Sequence, residues 1–198
     1  MEEKVRLTRS ERKSQTRHKA LCAAEALFSQ KPYAEVTLRD IAKAMKMSTG
    51  AVFANFGSKG ELFAEIMVMA MKAQYDRMLE AGVQKKSLYH IIVQLYEEDI
   101  DRLELVRCRF GVLWMWTAAE PGLQKYRKDI RRIEKLMFDL VARFFYAGEE
   151  ESKEKGAKLR ASVFWAMHRD NYYRLQEGVP IDDIRHLLQE QIDLIMKA

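Results

Sequence analysis

Residues 37–56 have the sequence TLRDIAKAMKMSTGAVFANF, in which two short amphipathic patterns are separated by a tight connection. Thr37 can cap a first helix, with Asp40 three residues later as its capping partner. The connection at Lys46 leads to Ser48, which can cap a second short helix. Two helices joined in this way predict a helix-turn-helix unit, whose second helix can enter the major groove of DNA.

The second helix has small and polar residues on one side and large apolar residues on the other. A helix that approaches base edges closely needs small or polar side chains there, although any short amphipathic helix can carry a few of them. Val52 and Phe56 suit an inward face, and Ser48 and Lys59 can bind phosphates at the rim. The groove-facing candidates are Thr49, Gly50, Ala51, Ala54 and Asn55.

Helical patterns continue on both sides of this segment. An apolar stripe predicts a helix over residues 10–30, preceded by a mobile basic arm over residues 1–8, and Pro32 ends that helix. Ser58 and Glu61 form a capping box that opens a long helix. Further helices are predicted at residues 88–105, 107–118, 123–147, 156–177 and 182–197, with a charged loop or fraying helix start at 149–155.

The composition favours a folded, helical protein of the cytoplasm. Hydrophobic residues make up 48% of the 198 residues, and only three prolines and nine glycines interrupt the chain. No stretch approaches the roughly 18 apolar residues of a membrane span, and the N-terminus lacks the apolar region of a signal peptide. Cys22 and Cys108 are far apart, as expected of reduced thiols rather than a disulfide or zinc site.

The positive charge is concentrated at one end of the chain. Residues 1–60 contain twelve Lys and Arg against six Asp and Glu, a net charge of +6, whereas the remaining residues have a net charge of −1. This asymmetry is typical of a protein whose first third meets a polyanion. A solvated basic tail is the alternative interpretation.

The segment over residues 17–63 resembles the TetR family of bacterial regulators. The resemblance is carried by Arg17, Ala24, Leu27, Phe28, Tyr33, Thr37, Asp40, Ile41, Ala42, Ser48, Gly50, Phe56, Ser58, Lys59 and Leu62. It implies an all-α homodimeric repressor, with an N-terminal trihelical helix-turn-helix DNA-binding domain (1–57) and a C-terminal helical ligand-binding and dimerisation domain (58–198). The implied partners are palindromic operator DNA and a small-molecule effector, with no cofactor. The implied DNA contacts are Thr37, Ser48, Thr49, Gly50, Ala51, Phe53, Ala54, Asn55 and Lys59.

Several positions depart from the usual pattern of that family. Phe53 replaces a tyrosine whose hydroxyl reaches a phosphate, and Ala54 replaces a residue that is often aromatic. Lys46 stands at the turn glycine and can add a phosphate contact of its own, while Pro32 replaces the glycine before Tyr33. These differences alter the expected contact map without opposing the fold.

The rest of the chain holds most of the aromatic and methionine residues. Such side chains suit a pocket for a hydrophobic or aromatic ligand, although any one of them is more often plain core. His168 could hydrogen-bond a ligand or serve as a partnered structural histidine, and no histidine has metal-binding spacing. The pocket candidates are Met67, Met71, Phe110, Trp114, Phe138, Phe164, Trp165 and His168.

The last two predicted helices have apolar stripes at spacings of three and four residues. Pairing two helices from each subunit would bury these stripes in an isologous four-helix interface, and packing within one chain is the alternative. The candidates for the dimer interface are Val163, Met167, Ile184, Leu188, Ile192 and Ile195.

Two other classes of function, enzymes and architectural proteins, predict different features. The sequence has no GxSxG motif, P-loop, Rossmann glycine pattern or paired metal ligands, so an enzyme is not expected. An architectural or adaptor protein without an effector would share the basic N-terminal segment but would show little preference among DNA sequences.

Overall fold

The computed structural model describes residues 8–102, 124–146 and 151–197, and these residues are helical without any strand, which confirms the expected fold class. The helices are α1 Arg9–Gln30, α2 Leu38–Ala44, α3 Thr49–Phe53, α4 Lys59–Val83, α5 Leu88–Asp99, α6 Gln124–Phe144, α7 Glu151–Gln176 and α8 Ile181–Lys197, with 3₁₀ turns at Tyr33–Glu35 and Ile100–Arg102. The expected basic arm (but for Thr8), the predicted helix 107–118, Phe110, Trp114 and Cys108 lie outside the described residues.

The chain forms two compact units, residues 1–67 and residues 68–198. They divide within α4, whereas the sequence prediction placed the boundary at the start of that helix. Because α4 is one continuous helix of 25 residues, it contributes its first turns to one unit and the remainder to the other.

The first unit is built around an aromatic cluster. The Phe28 ring lies edge-on to Phe63, with centroids 4.9 Å apart, and Tyr33 contacts both rings. Val52 and Phe56 are buried, which confirms their expected inward orientation. Burial of these side chains therefore holds the short helix α3 against the rest of the unit, since five residues cannot form a stable helix alone.

Side-chain caps fix where the helices of this unit begin. Thr8 and Glu11 form a reciprocal capping box at α1, a signature that the sequence analysis missed although TRSE matches its pattern. At α4, Ser58 Oγ accepts from Glu61 N at 3.0 Å, and the Glu61 carboxylate accepts from Gly57 N at 2.8 Å. A Cβ at Gly57 would lie 2.8 Å from that carboxylate, so glycine permits this approach.

Two helices end on a lysine in the left-handed region. Lys46 (φ 55°) follows α2 and Lys85 (φ 58°) follows α4, in the position that Gly178 (φ 86°) occupies after α7. All three ends have the hydrogen bonds of a Schellman motif. After α2, for example, Met47 N donates to Ala42 O at 2.9 Å. A left-handed backbone disfavours any side chain, so both lysines are strained where glycine would not be.

The second unit is a helical bundle in which α7 packs against α6 and α8, and α8 against α5. A polar network crosses its core. Tyr96 OH hydrogen-bonds His168 Nδ1 at 2.9 Å and accepts from Asn171 Nδ2 at 3.2 Å, and Asn171 also bonds Gln191 on α8. Burial raises the pKa of the Tyr96 hydroxyl well above its ordinary value, so it remains a proton donor.

Helix boundaries in this unit differ from the prediction at two places. The helix expected at 88–105 ends as an α-helix at Asp99 and tightens into a 3₁₀ turn. The helix expected from 156 begins at Glu151, because Gly156 is accommodated inside it and Glu154 pairs with Lys158 one turn later, at 2.5 Å. Within the described ranges, no helix is long and apolar enough to cross a membrane.

Candidate nucleic-acid interface and ligand cleft

The exposed side of α3 has small side chains and one aromatic ring. Ser48, Gly50 and Ala54 are exposed, Thr49 is half-exposed, and Phe53 presents 51% of its surface. A Cβ added at Gly50 would meet only Ser48 Oγ, at 3.9 Å, so the space in front of the glycine is open. This face can approach another surface closely, as readout of base edges in a major groove requires.

The first turn of α3 is fixed by Ser48. Its Oγ accepts from Ala51 N at 3.3 Å, while Gly50 and Thr49 lie at the helix start with their N–H groups outside the helical ladder. A helix N-terminus with exposed N–H groups favours phosphate oxygens. Thr37 caps α2 in the same way, and the paired Asp40 carboxylate has a lowered pKa because it accepts hydrogen bonds from Thr37.

Two of the sequence-predicted contact residues, Lys59 and Asn55, make hydrogen bonds within the chain. Lys59 Nζ donates to the Tyr33 and Val36 carbonyls at 2.9 and 2.8 Å and lies 4.1 Å from the Tyr33 ring centroid. Partial burial lowers the pKa of the lysine. Asn55 Nδ2 donates to Ala51 O at 2.8 Å, which turns its amide back onto its own helix. Lys59 thus uses two of its three ammonium N–H donors internally, and its assignment as a rim phosphate ligand stays a prediction. It ties the 3₁₀ turn to the start of α4.

Arg17 anchors the C-terminal end of α3. Its guanidinium pairs with the Glu65 carboxylate on α4, donates to the Asn55 carbonyl and lies 4.2 Å from the Phe56 ring centroid. Sequence reasoning used Arg17 only as part of a resemblance, because nothing in its local pattern shows that it spans three helices.

The other basic side chains among the described residues of the first unit face solvent. Those exposed are Arg9, Arg12, Lys13, Lys19, Lys31, Arg39, Lys43 and Lys46. Lys46 lies in the turn between α2 and α3, beside the exposed Met47. A surface with this many cations attracts polyanions through long-range electrostatics.

A cleft of about 510 Å³ opens in the second unit, between α4, α6 and α7. Three of the expected pocket residues, Met71, Phe138 and Trp165, line it together with Met137. Its polar lining, which the sequence analysis did not select, consists of Gln74, Arg131, Glu134, Lys135 and Arg169. Helical spacing could have found part of it, since Arg131 and Lys135 are four residues apart, as are Trp165 and Arg169.

The other described pocket candidates lie elsewhere. Met67 is fully buried and belongs to the first compact unit. His168 is buried between the Phe164 and Tyr96 rings, each stacked with it at centroid distances of 5.8 and 5.3 Å, and bonds Tyr96. Phe164 and His168 are thus core residues that do not line the cleft, because the bundle interior surrounds them.

The apolar residues of α7 and α8 are divided between the core and the surface. Ile184, Leu188 and Ile195 are buried within the single chain, so their assignment to a dimer interface is corrected. They point to the same side of α8, which packs on α7 and α5. Val163 is exposed, and Met167 and Ile192 are half-exposed. Leu159 and Leu194 present 67% and 61% of their surface.

The described residues contain no group of three His, Cys, Asp or Glu side chains that could hold a metal ion. Cys22 is exposed, and its Sγ lies 3.6 Å from His18 Nε2.

Comparison with known proteins places the first unit in a sequence family. Residues 20–66 match the sequence model of the bacterial regulatory proteins of the tetR family. No curated protein sequence matches the chain.

Solved structures share the fold over nearly the whole chain. A putative TetR-family transcriptional regulator from Mesorhizobium loti is 15% identical, with a TM-score of 0.66 and coverage of 96% of this chain and 98% of that one. The crystal structure of NalD from Pseudomonas aeruginosa is 19% identical (TM-score 0.62, 91% and 96% covered), and that of Thermus thermophilus FadR is 18% identical (TM-score 0.56, 91% and 93% covered). These likenesses establish the all-helical fold, and over residues 20–66 the chain is similar to the bacterial regulatory proteins of the tetR family.

Proposed function

We propose that this protein is a cytoplasmic repressor that binds a palindromic operator as a homodimer and leaves it when a small molecule occupies the cleft between α4, α6 and α7. The observation that carries the proposal is the exposed, small-residue face of α3. Buried Val52 and Phe56 hold this helix from behind, and Ser48 caps it. Regulators of this family are generally DNA-binding proteins without enzymatic activity.

The DNA contacts fall into two groups. Thr49, Gly50 and Ala54 meet base edges, because their short side chains allow the backbone to approach. Ser48, Thr37 and Lys46, at helix starts or in the turn, meet phosphates. Phe53, lacking the hydroxyl usual in the family, makes apolar contact with a thymine methyl or the sugar backbone. Asn55 supports α3 through its bond to Ala51.

The homodimer uses the apolar surface that α7 and α8 leave uncovered. Four exposed or half-exposed apolar residues lie on one side of α7, namely Leu159, Val163, Met167 and Tyr173, and Leu194 is exposed on α8. Covering such a surface with its copy gives a two-fold interface. The first units of the two subunits, related by that axis, bind DNA half-sites that are about one helical turn of DNA apart, or a multiple of it.

The effector acts through differential affinity for two states of the dimer. Met71 and Gln74 line the cleft from α4, the same continuous helix whose first turns belong to the DNA-binding unit. A ligand that favours one position of α4 changes the spacing between the first units of the two subunits. A protein of the same fold, T. thermophilus FadR, has been crystallised with lauroyl-CoA, which supports a small-molecule effector here.

The test is selection of bound fragments from genomic DNA, followed by competition with random duplex at fixed salt. We expect one palindromic sequence to be enriched and to bind at least about a thousandfold more tightly than random duplex. Thr49→Val should change which bases are preferred, whereas Lys46→Ala should weaken binding to all sequences alike.

Equal affinity for selected and random duplex would refute sequence-specific operator binding. The better proposal would then be an architectural DNA-binding protein. That second candidate rests on the many exposed cations of the first unit, which by themselves give only sequence-independent binding.

A further inference from the structure

The cleft between α4, α6 and α7 combines two kinds of lining. Met71, Met137, Phe138 and Trp165 provide an apolar and aromatic wall. Among the described residues, three cations, Arg131 and Lys135 on α6 and Arg169 on α7, line the same cleft with one carboxylate, that of Glu134. The charges of these described side chains therefore give a net positive lining beside an apolar one.

Two of these cations are uncommitted. Neither the Lys135 ammonium nor the Arg169 guanidinium forms an ion pair or hydrogen bond with any residue in the described part of the chain. By contrast, other basic side chains of this unit are paired, such as Arg77 with Glu98 at 2.9 Å and Arg174 with Asp170 at 2.7 Å. Lys135 and Arg169 approach the cleft from different helices, so one ligand group can contact both.

Trp165 supplies an independent observation. Its indole Nε1–H is buried and has no hydrogen-bond partner among the described residues. Buried donors are nearly always paired, so an unpaired one at a cleft wall needs an acceptor from outside the described residues. Indole can only donate, and an oxygen of a bound ligand can supply that acceptor.

Glu134 is the group that opposes an anion. Partial burial raises the pKa of this carboxyl, while the Arg131 guanidinium lowers it. Because Arg131 lies one turn before Glu134 on α6, the positive charge of its guanidinium offsets the negative charge of the Glu134 carboxylate. The charge left for a ligand is that of Lys135 and Arg169.

We propose that this cleft binds an amphipathic anion, a small molecule with an aromatic or aliphatic body and a carboxylate or phosphate group. The body packs on Met71, Met137 and Phe138, and the anionic oxygens bind Lys135, Arg169 and the Trp165 N–H. The cleft volume falls within the roughly 300–1,000 Å³ of small-molecule sites. The inference rests on the proposed function only in identifying this ligand with the effector.

The experiment compares four probes with one alkyl chain and different head groups, each below its micelle concentration: dodecanoate, dodecyl phosphate, dodecanol and dodecylamine. Binding to the full-length protein is measured by calorimetry and by quenching of tryptophan fluorescence. At least one anion should bind at least about tenfold more tightly than the neutral and cationic probes, since hydrogen bonds between charged groups are the stronger ones. Comparison of the two anions distinguishes a carboxylate ligand from a phosphate ligand.

Substitutions locate the site. Lys135→Gln and Arg169→Gln should each weaken the preferred anion about tenfold and leave dodecanol binding unchanged. Arg169→Lys should recover part of the affinity, and Glu134→Gln should increase it. The matched control is Lys72→Gln, an exposed lysine of α4 that does not line the cleft, and it should have no effect.

Equal binding of all four probes, a preference for the amine or alcohol, or an anion affinity insensitive to Lys135 and Arg169 would overturn the proposal. Binding to the selected operator, measured in parallel without probe, separates this failure from failure of the proposed function. A protein that binds its operator and is released by dodecylamine would remain a repressor, but its effector would not be an anion.

Discussion

Lys46 in the turn between α2 and α3 provides a test in which stability and DNA binding should change in opposite directions. Its backbone has φ 55°, and it occupies the position where a Schellman motif favours glycine. A side chain in this conformation costs about 1–2 kcal/mol, of which glycine recovers the steric part while losing some unfolded-state constraint. Lys46→Gly should therefore stabilise the protein by about 1 kcal/mol.

The same substitution removes an exposed cation from the edge of α3. If each Lys46 neutralises one phosphate, the slope of log affinity against log salt should become less steep by about 0.9 per subunit. Affinity at low salt should fall for operator and random duplex alike, because a phosphate contact carries no sequence information.

Lys85→Gly is the matched control. Lys85 has the same backbone conformation (φ 58°) and the same motif, after α4 in the second unit. It should give a similar gain in stability without a change in salt slope. Thermal unfolding at one fixed protein concentration measures the gain in stability, a rise in Tm of about 2–4 °C for a chain of this size. Fluorescence anisotropy of labelled DNA at salt concentrations from about 50 to about 300 mM, over which screening of charges increases, measures the salt slope. An unchanged slope for Lys46→Gly would refute the phosphate contact, and a loss of stability in both variants would refute the strain.

Three further substitutions test other parts of the structure. Thr37→Ala removes the cap of α2 and should lower the free energy of unfolding in urea by about 1 kcal/mol. Since Thr37 holds the pKa of Asp40 low, NMR titration of the variant should show that pKa moving up toward its ordinary value. The ionised Asp40 stabilises the fold above its unfolded pKa and loses this effect as pH falls through its folded pKa, so the loss should occur at higher pH in the variant than in the parent. Tyr96→Phe leaves Asn171 and His168 without the hydroxyl that joins them and should cost about 1–3 kcal/mol, with Tyr89→Phe, at a half-exposed position of α5, as the near-neutral control. Leu159→Asp should convert the dimer to a monomer in light scattering at micromolar concentration while circular dichroism stays unchanged, and a dimer that persists would place the interface elsewhere.

The helical elements were largely predictable because their signals are local. Capping residues such as Thr37 and Ser48, the apolar spacing of α1 and the break at Pro32 act within a few residues, so the sequence around them suffices. The helix-turn-helix and the burial of Val52 and Phe56 followed from the same patterns. The predicted helix boundaries were wrong where neighbouring residues of the helix offset an unfavourable one. The start of α7 is an example, since it includes the charged segment that was interpreted as a loop or a fraying helix start.

The roles of individual charged and apolar side chains depend on residues distant in the chain. Lys59 is basic and lies close in sequence to α3, yet its ammonium binds the Tyr33 and Val36 carbonyls. Ile184 and Leu188 form a stripe that suits either a partner or the same chain, and the packing of α8 on α7 and α5 buries them internally. Lys135 and Arg169 are separated by more than thirty residues, and only the packing of α6 on α7 brings them to one cleft. Sequence periodicity determines which face of a helix is apolar, but it does not determine what that face meets, because burial depends on the positions of all other helices.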